Sequence, residues 1–103
     1  EVKGDSMDNG TRESFEEGDV VLVRELDKSH WRDGLRYKDY PYWVVVFGTS
    51  VLIKQMTDCN LDNGMITLHS LNPSPEFSDF SLPLDNVRAL YYVLQKKPRV
   101  VKF

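Results

Sequence analysis

Apolar runs of β-branched and aromatic residues, separated by short polar segments, recur along most of this 103-residue chain. Such runs predict β-strands, because branched and aromatic side chains pack well on a pleated surface. We expect strands at residues 18–26, 42–47, 51–56, 65–71 and 85–97. The last segment also has apolar residues at helical spacing, but its valine and tyrosine content favours a strand.

The polar segments between these strands predict turns and loops. We expect residues 48–50 to form the tight turn of a hairpin, and residues 57–64 and 72–81 to form loops, the second because two prolines interrupt ladder pairing. Residues 27–41, from Asp27 to Pro41, are polar and irregular, with room for one short helical turn. Together these elements predict a mostly β fold, a compact arrangement of short, mainly antiparallel strands.

Length, charge and cysteine content narrow the class of protein. A chain of 103 residues supports one domain with a single core. Its net charge of −3 argues against a chain that binds polyanions as a whole, since nucleic-acid-binding domains usually carry a basic stripe. Cys59 is the only cysteine, which fits a reducing compartment. No apolar run is long enough to cross a bilayer and no signal peptide is evident, so we expect a cytoplasmic location.

Two residues suggest chemistry when they are considered together. Ser6 lies in a Gly-Asp-Ser run that by itself predicts only a turn. Lys54 lies on a predicted strand, where alternation places it on one face with Leu52 and Met56. One explanation is an edge strand whose lysine reaches water along its stem. The other is a desolvated lysine, whose pKa falls below about 10.4 so that a neutral amine can take the proton of a serine hydroxyl.

Four short motifs follow one another along the chain: VKGDSM at 2–7, EEGDVVLVREL at 16–26, VLIKQM at 51–56 and ITLHSLNPSPEF at 66–77. They supply a Ser-Met pair, a Gly-Asp before the next strand, a lysine in a later strand and a Leu-x-Ser-x-Asn-Pro-like segment. This series resembles the catalytic domain of the LexA and phage-repressor serine peptidases, shared by UmuD-type proteins and related to signal peptidases. The resemblance spans roughly residues 2–93 and implies the compact LexA/signal-peptidase-like β fold.

The resemblance also implies a site and a substrate. Ser6 would be the nucleophile and Lys54 the general base of a Ser-Lys dyad, with Met7 at the oxyanion site or in a pocket beside it. Such proteins cleave their own linker N-terminal to this domain, typically at Ala-Gly or Cys-Gly, and this chain contains neither dipeptide. Because the chain opens on Glu1 rather than Met, we expect it to be a single peptidase-like C-terminal domain, residues 1–103, of a longer transcriptional regulator. DNA would be bound only through a helix-turn-helix domain upstream of Glu1.

No metal and no cofactor is expected. His30 and His69 are far apart in sequence and have no cysteine pair near them, which disfavours a zinc site. Residues 58–64 resemble the start of a calcium loop, but the glycine comes one residue late and His69 occupies the position of the bidentate glutamate.

A homodimer is a further expectation. A strand at residues 86–95 would carry apolar residues on both faces, and the domain's own core covers only one of them. A second copy would cover the other, as the resemblance implies, through the segment that begins at Val87 and ends at Leu94, with Tyr91 or Tyr92 near its centre. The alternative is that a loop of the same chain, around Trp31, covers this face.

Two other functions fit the same residues. One is a non-catalytic dimerisation module that retains the dyad, and the other is a signal-peptidase-like serine protease that acts on other chains. The segment 27–41 also looks longer than the corresponding loop of the family, and an inserted loop could block the cleavage segment. Its aromatic residues either present a partner surface or pack against the domain.

Overall fold

The computed structural model describes residues 18–97 together with Val2, Ser6, Met7 and Phe15, and within this part of the chain six strands form one sheet. The strands are β1 (Val20–Leu26), β2 (Tyr42–Phe47), β3 (Ser50–Asn60), β4 (Met65–His69), β5 (Phe80–Pro83) and β6 (Val87–Lys97). Two short 3₁₀ helices, Lys28–Asp33 and Leu84–Asn86, precede β2 and β6 respectively.

The strand order in the sheet is β1-β6-β2-β3-β4-β5, and each neighbouring pair is antiparallel. The predicted mostly β, mainly antiparallel fold is therefore confirmed. The C-terminal segment forms β6, as its composition indicated. In the sheet, β6 lies between β1 and β2 and pairs with both.

Two apolar clusters hold the sheet. The first contains Trp31, Leu35, Trp43, Val45, Met56, Ile66, Leu68, Val87 and Leu90. The second contains Val2, Met7 and Phe15, with Val21, Tyr42, Ile53, Leu71 and Val93 packed against them. On β2 and β6 the two clusters take adjacent residues, so they lie on opposite faces of these strands. Apolar side chains on both faces of β6 up to Val93 are thus packed within the chain, whereas Leu94 remains exposed.

The segment 27–41 packs against the sheet. Asp27 begins its 3₁₀ helix by accepting a hydrogen bond from the Ser29 amide through its side chain (2.9 Å). Trp31 is buried, and its indole N–H donates to the Leu26 carbonyl (2.9 Å). Because Tyr40 also packs on Tyr92, with 4.7 Å between ring centroids, the aromatic residues of this segment contribute to the core.

Two loop predictions are wrong at their boundaries. Residues 57–60 continue β3 instead of opening a loop, because they pair with β4 beyond a β-bulge near Thr57. The turn shrinks to residues 61–64, where the Asn60 side chain accepts from the amides of Asp62 and Asn63.

The second error concerns an edge strand. Phe80 and Ser81, predicted as loop, belong to β5, which also contains Pro83. A proline is tolerated there because β5 pairs only with β4, and an edge strand leaves half of its amides unpaired in any case.

Candidate active site

Ser6 and Lys54, 48 residues apart in sequence, meet in the folded chain. The distance between Lys54 Nζ and Ser6 Oγ is 2.8 Å, which is hydrogen-bonding distance. Lys54 lies in the middle of β3. Its backbone is held in place because it pairs with Trp43 of the neighbouring strand β2. Of the two explanations for a lysine on this strand, the structure favours the desolvated one, since β3 is an interior strand.

Burial perturbs the lysine. Its side chain and that of Met56 occupy alternate, buried positions of β3, and Lys54 is only 6% exposed. Removal of the ammonium from water lowers the pKa of Lys54 below its ordinary value of 10.5. No carboxylate forms an ion pair with it among the described residues, so no opposing charge restores the ammonium form. Burial therefore shifts Lys54 toward the neutral amine, the form that can accept a proton.

Ser70 is a third member of the site that the sequence reasoning did not single out. Its hydroxyl lies 2.8 Å from Lys54 Nζ, and the residue is 3% exposed. A neutral amine has two N–H donors and one lone pair, so Nζ can donate to Ser70 Oγ while it accepts from Ser6 Oγ. Ser70 is the serine of the Leu-x-Ser-x-Asn-Pro-like segment, and that motif was the available signal.

Contacts from the segment after β4 hold Ser6 in place. The amide of Asn72 donates to the Ser6 carbonyl (2.8 Å), and the amide of Leu71 donates to the sulfur of Met7 (3.4 Å). Met7 is 1% exposed and belongs to the second apolar cluster, so its side chain is a packing anchor beside the nucleophile. Its carbonyl in turn accepts from the Phe15 amide (2.8 Å).

Ser6 and Lys54 line an apolar cleft of about 470 Å³. Besides Ser6 and Lys54, its lining consists of aliphatic side chains: Val2, Val21, Val23, Val44, Val51, Leu52 and Ile53. Such a cleft is suited to an extended peptide with small or medium aliphatic side chains, because burying them there removes apolar surface from water.

Side chains that commonly bind metals do not cluster in the described residues. Within them, no group of three or more His, Cys, Asp and Glu side chains could hold a metal ion. His69 lies instead beside Asp79, with 2.6 Å between Nδ1 and Oδ1. In the same part of the chain, none of the helices reaches the length and apolarity that crossing a bilayer requires.

Comparison with known proteins identifies a family. A family model described as Peptidase S24-like matches residues 1–90, which is most of the chain and includes the serine, the lysine and the third hydroxyl. Neither a curated protein nor a solved structure matches the chain.

Proposed function

Because the chain belongs to the Peptidase S24-like family, that of LexA, UmuD and the phage-repressor peptidases, we propose that it is the self-cleavage domain of a transcriptional regulator. The observation that carries this proposal is the 2.8 Å distance between Ser6 Oγ and Lys54 Nζ, with the lysine buried and Ser6 lining an apolar cleft. A serine hydroxyl needs a base to become a nucleophile, and a neutral lysine is an established one.

The chemical steps follow from the positions of the three side chains. Ser6 Oγ attacks the carbonyl carbon of a peptide bond while Lys54 Nζ takes its proton. The resulting lysine ammonium then protonates the leaving amine as the tetrahedral intermediate collapses to an acyl-enzyme, and water releases the acyl group in the second half of the reaction. Throughout, Ser70 Oγ holds Nζ in line with Ser6. Backbone amides at Ser6 and Met7 are the proposed donors to the oxyanion.

The proposed substrate is an extended, aliphatic segment of the same polypeptide, N-terminal to this domain. The valine-rich lining of the cleft supports this choice, since the described residues that line it offer apolar surface and, apart from Lys54, no charged side chain. An intramolecular substrate also has a high effective concentration, so a slow dyad can still cut it.

The test is self-cleavage of the full-length gene product, purified and incubated between about pH 7 and pH 10, with fragments identified by mass spectrometry. Cleavage should accelerate as pH rises through the lowered pKa of Lys54, because only the neutral amine accepts a proton. Ser6→Ala and Lys54→Ala should each abolish it, since the pair acts as a unit.

Matched variants at exposed positions, Ser29→Ala and Lys38→Ala, should cleave like the wild type. Cleavage at the wild-type rate in Ser6→Ala or Lys54→Ala would show that the nucleophile or the base is misassigned. A wild-type protein that stays intact at every pH would support the inert dimerisation module instead.

We also propose that the domain forms a homodimer through β6 and the neighbouring β1. The sequence-based expectation put Tyr91 or Tyr92 near the centre of the contact. Because Tyr92 packs on Tyr40 and Trp43 within the chain, we place the centre instead at the end of the segment from Val87 to Leu94. There, Leu94 is 44% exposed and Leu22 on β1 is 54% exposed. Leu22 pairs with Gln95 and Val23 pairs with Val93, so Leu94 is the extra residue of a bulge beside Leu22, and we place both leucines in the proposed contact.

Sedimentation equilibrium of the 103-residue chain at about 100 μM tests the dimer, because an interface of micromolar affinity is populated there. The wild type should sediment as a dimer and Leu22→Glu as a monomer. Leu61→Glu, which changes an equally apolar and exposed residue on the β3–β4 turn, should remain dimeric. A monomeric wild type would contradict the proposal.

A further inference from the structure

A second cavity, of about 480 Å³, lies between the sheet and the segment 27–41. It shares no lining residue with the cleft of Ser6 and Lys54. On β1 it is lined by Arg24 whereas the cleft is lined by Val23, and on β2 by Trp43 whereas the cleft is lined by Val44. Adjacent residues of a strand point to opposite faces, so the two cavities open on opposite sides of these strands.

The floor of this second cavity is a row of side chains across three strands. Trp43 on β2 pairs with Tyr92 on β6, and Tyr92 pairs with Arg24 on β1. Directly opposed residues of antiparallel strands have neighbouring side chains on the same face. Tyr40, from the segment above, packs on Tyr92 and completes an aromatic wall. Tyr40 and Tyr92 are only half-buried, so ring surface remains available to a ligand.

Among the described residues, the charged side chains that line the cavity are Arg24, Arg36 and Asp33. The Arg24 side chain is exposed, and within the described part of the chain it makes no hydrogen bond and no ion pair. Arg36 contacts Asp39 through Nε and Nη2, which leaves further N–H donors on its guanidinium. Asp33 is the acidic residue of the lining, and it lies 3.9 Å from His30.

We propose that this cavity binds a small planar aromatic anion, with its ring against Tyr40 and Tyr92 and its phosphate or carboxylate on Arg24. The volume is in the range of small-molecule sites. Aromatic side chains stack on planar rings, and a guanidinium fork matches the geometry of phosphate and carboxylate oxygens. A ligand that carries both groups contacts the aromatic wall and also Arg24, which has no partner within the described residues. This inference does not rest on the proposed peptidase function.

Isothermal titration calorimetry of the 103-residue chain tests the site with four probes: AMP, 2-naphthoate, adenosine and inorganic phosphate. AMP or 2-naphthoate should bind one-to-one with a dissociation constant of about 1 mM or lower. Whichever of the two binds more tightly identifies a nucleotide or an aromatic acid as the source of the anion. Adenosine, which lacks the anion, and phosphate, which lacks the ring, should bind at least about tenfold more weakly.

Binding must also map to the cavity. In ¹H–¹⁵N spectra the ligand should shift the indole N–H signal of Trp43. Arg24→Gln should weaken binding about tenfold, since hydrogen bonds to charged groups are the stronger ones. Arg88→Gln, a matched change of an exposed arginine that donates to the Gly48 carbonyl, should not weaken it.

Three results would overturn the inference: no binding of AMP or 2-naphthoate, adenosine binding as tightly as AMP, or unchanged affinity in Arg24→Gln. In each case Arg24 would be a solvated charge on an edge strand. Lys54 does not line this cavity, so Lys54→Ala should bind the ligand as the wild type does even where self-cleavage is lost. The ligand proposal and the peptidase proposal can therefore fail separately.

Discussion

Replacement of Lys54 with methionine removes a buried lysine while it keeps a side chain of similar length, and its effect on stability should depend on pH. In the folded protein, burial lowers the pKa of Lys54 below 10.5, whereas in the unfolded chain the lysine titrates near 10.5. Between the two pKa values the unfolded chain therefore binds more protons than the folded one. Wild-type stability rises with pH across this window, and the penalty for the buried lysine is fully present below the folded pKa.

The size of the effect follows from linkage. A difference of one bound proton changes the free energy of unfolding by at most about 1.4 kcal/mol per pH unit. Methionine has no titrating group, so the stability of Lys54→Met minus that of the wild type should fall by up to this amount per unit as pH rises through the window. The lost contacts to Ser6 and Ser70 lower the stability of the variant by about 1 kcal/mol each. Because those losses do not titrate, the slope with pH is the diagnostic quantity.

Urea unfolding at about pH 7, 8, 9 and 10, followed by circular dichroism, measures this slope. A change of about 1.4 kcal/mol moves the urea midpoint by about 1 M for a small domain. Lys38→Met removes an exposed lysine and serves as the control, whose difference from the wild type should stay constant. A constant difference for Lys54→Met as well would mean that Lys54 titrates alike in both states. The reasoning that makes it a base would then be refuted.

Two further predictions concern residues around the site and in the segment 27–41. Ser70→Ala should lower the free energy of unfolding by about 1 kcal/mol and slow self-cleavage, because the buried hydroxyl holds Lys54 Nζ. Self-cleavage is followed on gels beside the wild type, and an unchanged rate would show that Ser70 has no part in the site. Gly34→Ala should destabilise the protein by about 1–3 kcal/mol, since Gly34 has φ 99° and ψ 145°, a conformation largely restricted to glycine. Gly48→Ala, at φ 56°, should lower the free energy of unfolding by only about 1 kcal/mol. An added Cβ meets nothing within 4 Å at either glycine, so the two variants differ in backbone conformation alone. Equal losses of stability in urea unfolding would therefore contradict the conformational argument.

The strands that the sequence predicted well are those whose composition and pairing agree. Tyr42–Phe47 is continuously apolar, which suits an interior strand covered on both faces, and its bounds match the structure. The extension of β3 through Asn60 was missed because its last residues are polar and resemble turn formers. Their strand conformation comes from hydrogen bonds to β4, a contact that local composition does not encode.

The site was partly predictable for a similar reason. Lys54 was conspicuous because a charged residue on an apolar strand face requires an explanation, and the motif order then pointed to Ser6. Ser70 gave no such contrast, since a serine near the end of the predicted strand 65–71 needs no explanation. The Leu-x-Ser-x-Asn-Pro-like motif contains it, but its contact with Lys54 depends on how β3 and the end of β4 meet in the folded chain.

The contacts around Ser6 have a consequence for the chain during its synthesis. The serine emerges from the ribosome 48 residues before the lysine, and its neighbour Met7 emerges 64 residues before Leu71, whose amide anchors it. Until β3, β4 and the segment after them have been translated and folded, the hydroxyl has no base beside it and no partner for its carbonyl. Under the proposed function, a nascent chain would therefore be inactive, and a cleavable segment already outside the tunnel would stay intact until the last parts of the site arrive. Translation would then set the earliest time at which self-cleavage can begin.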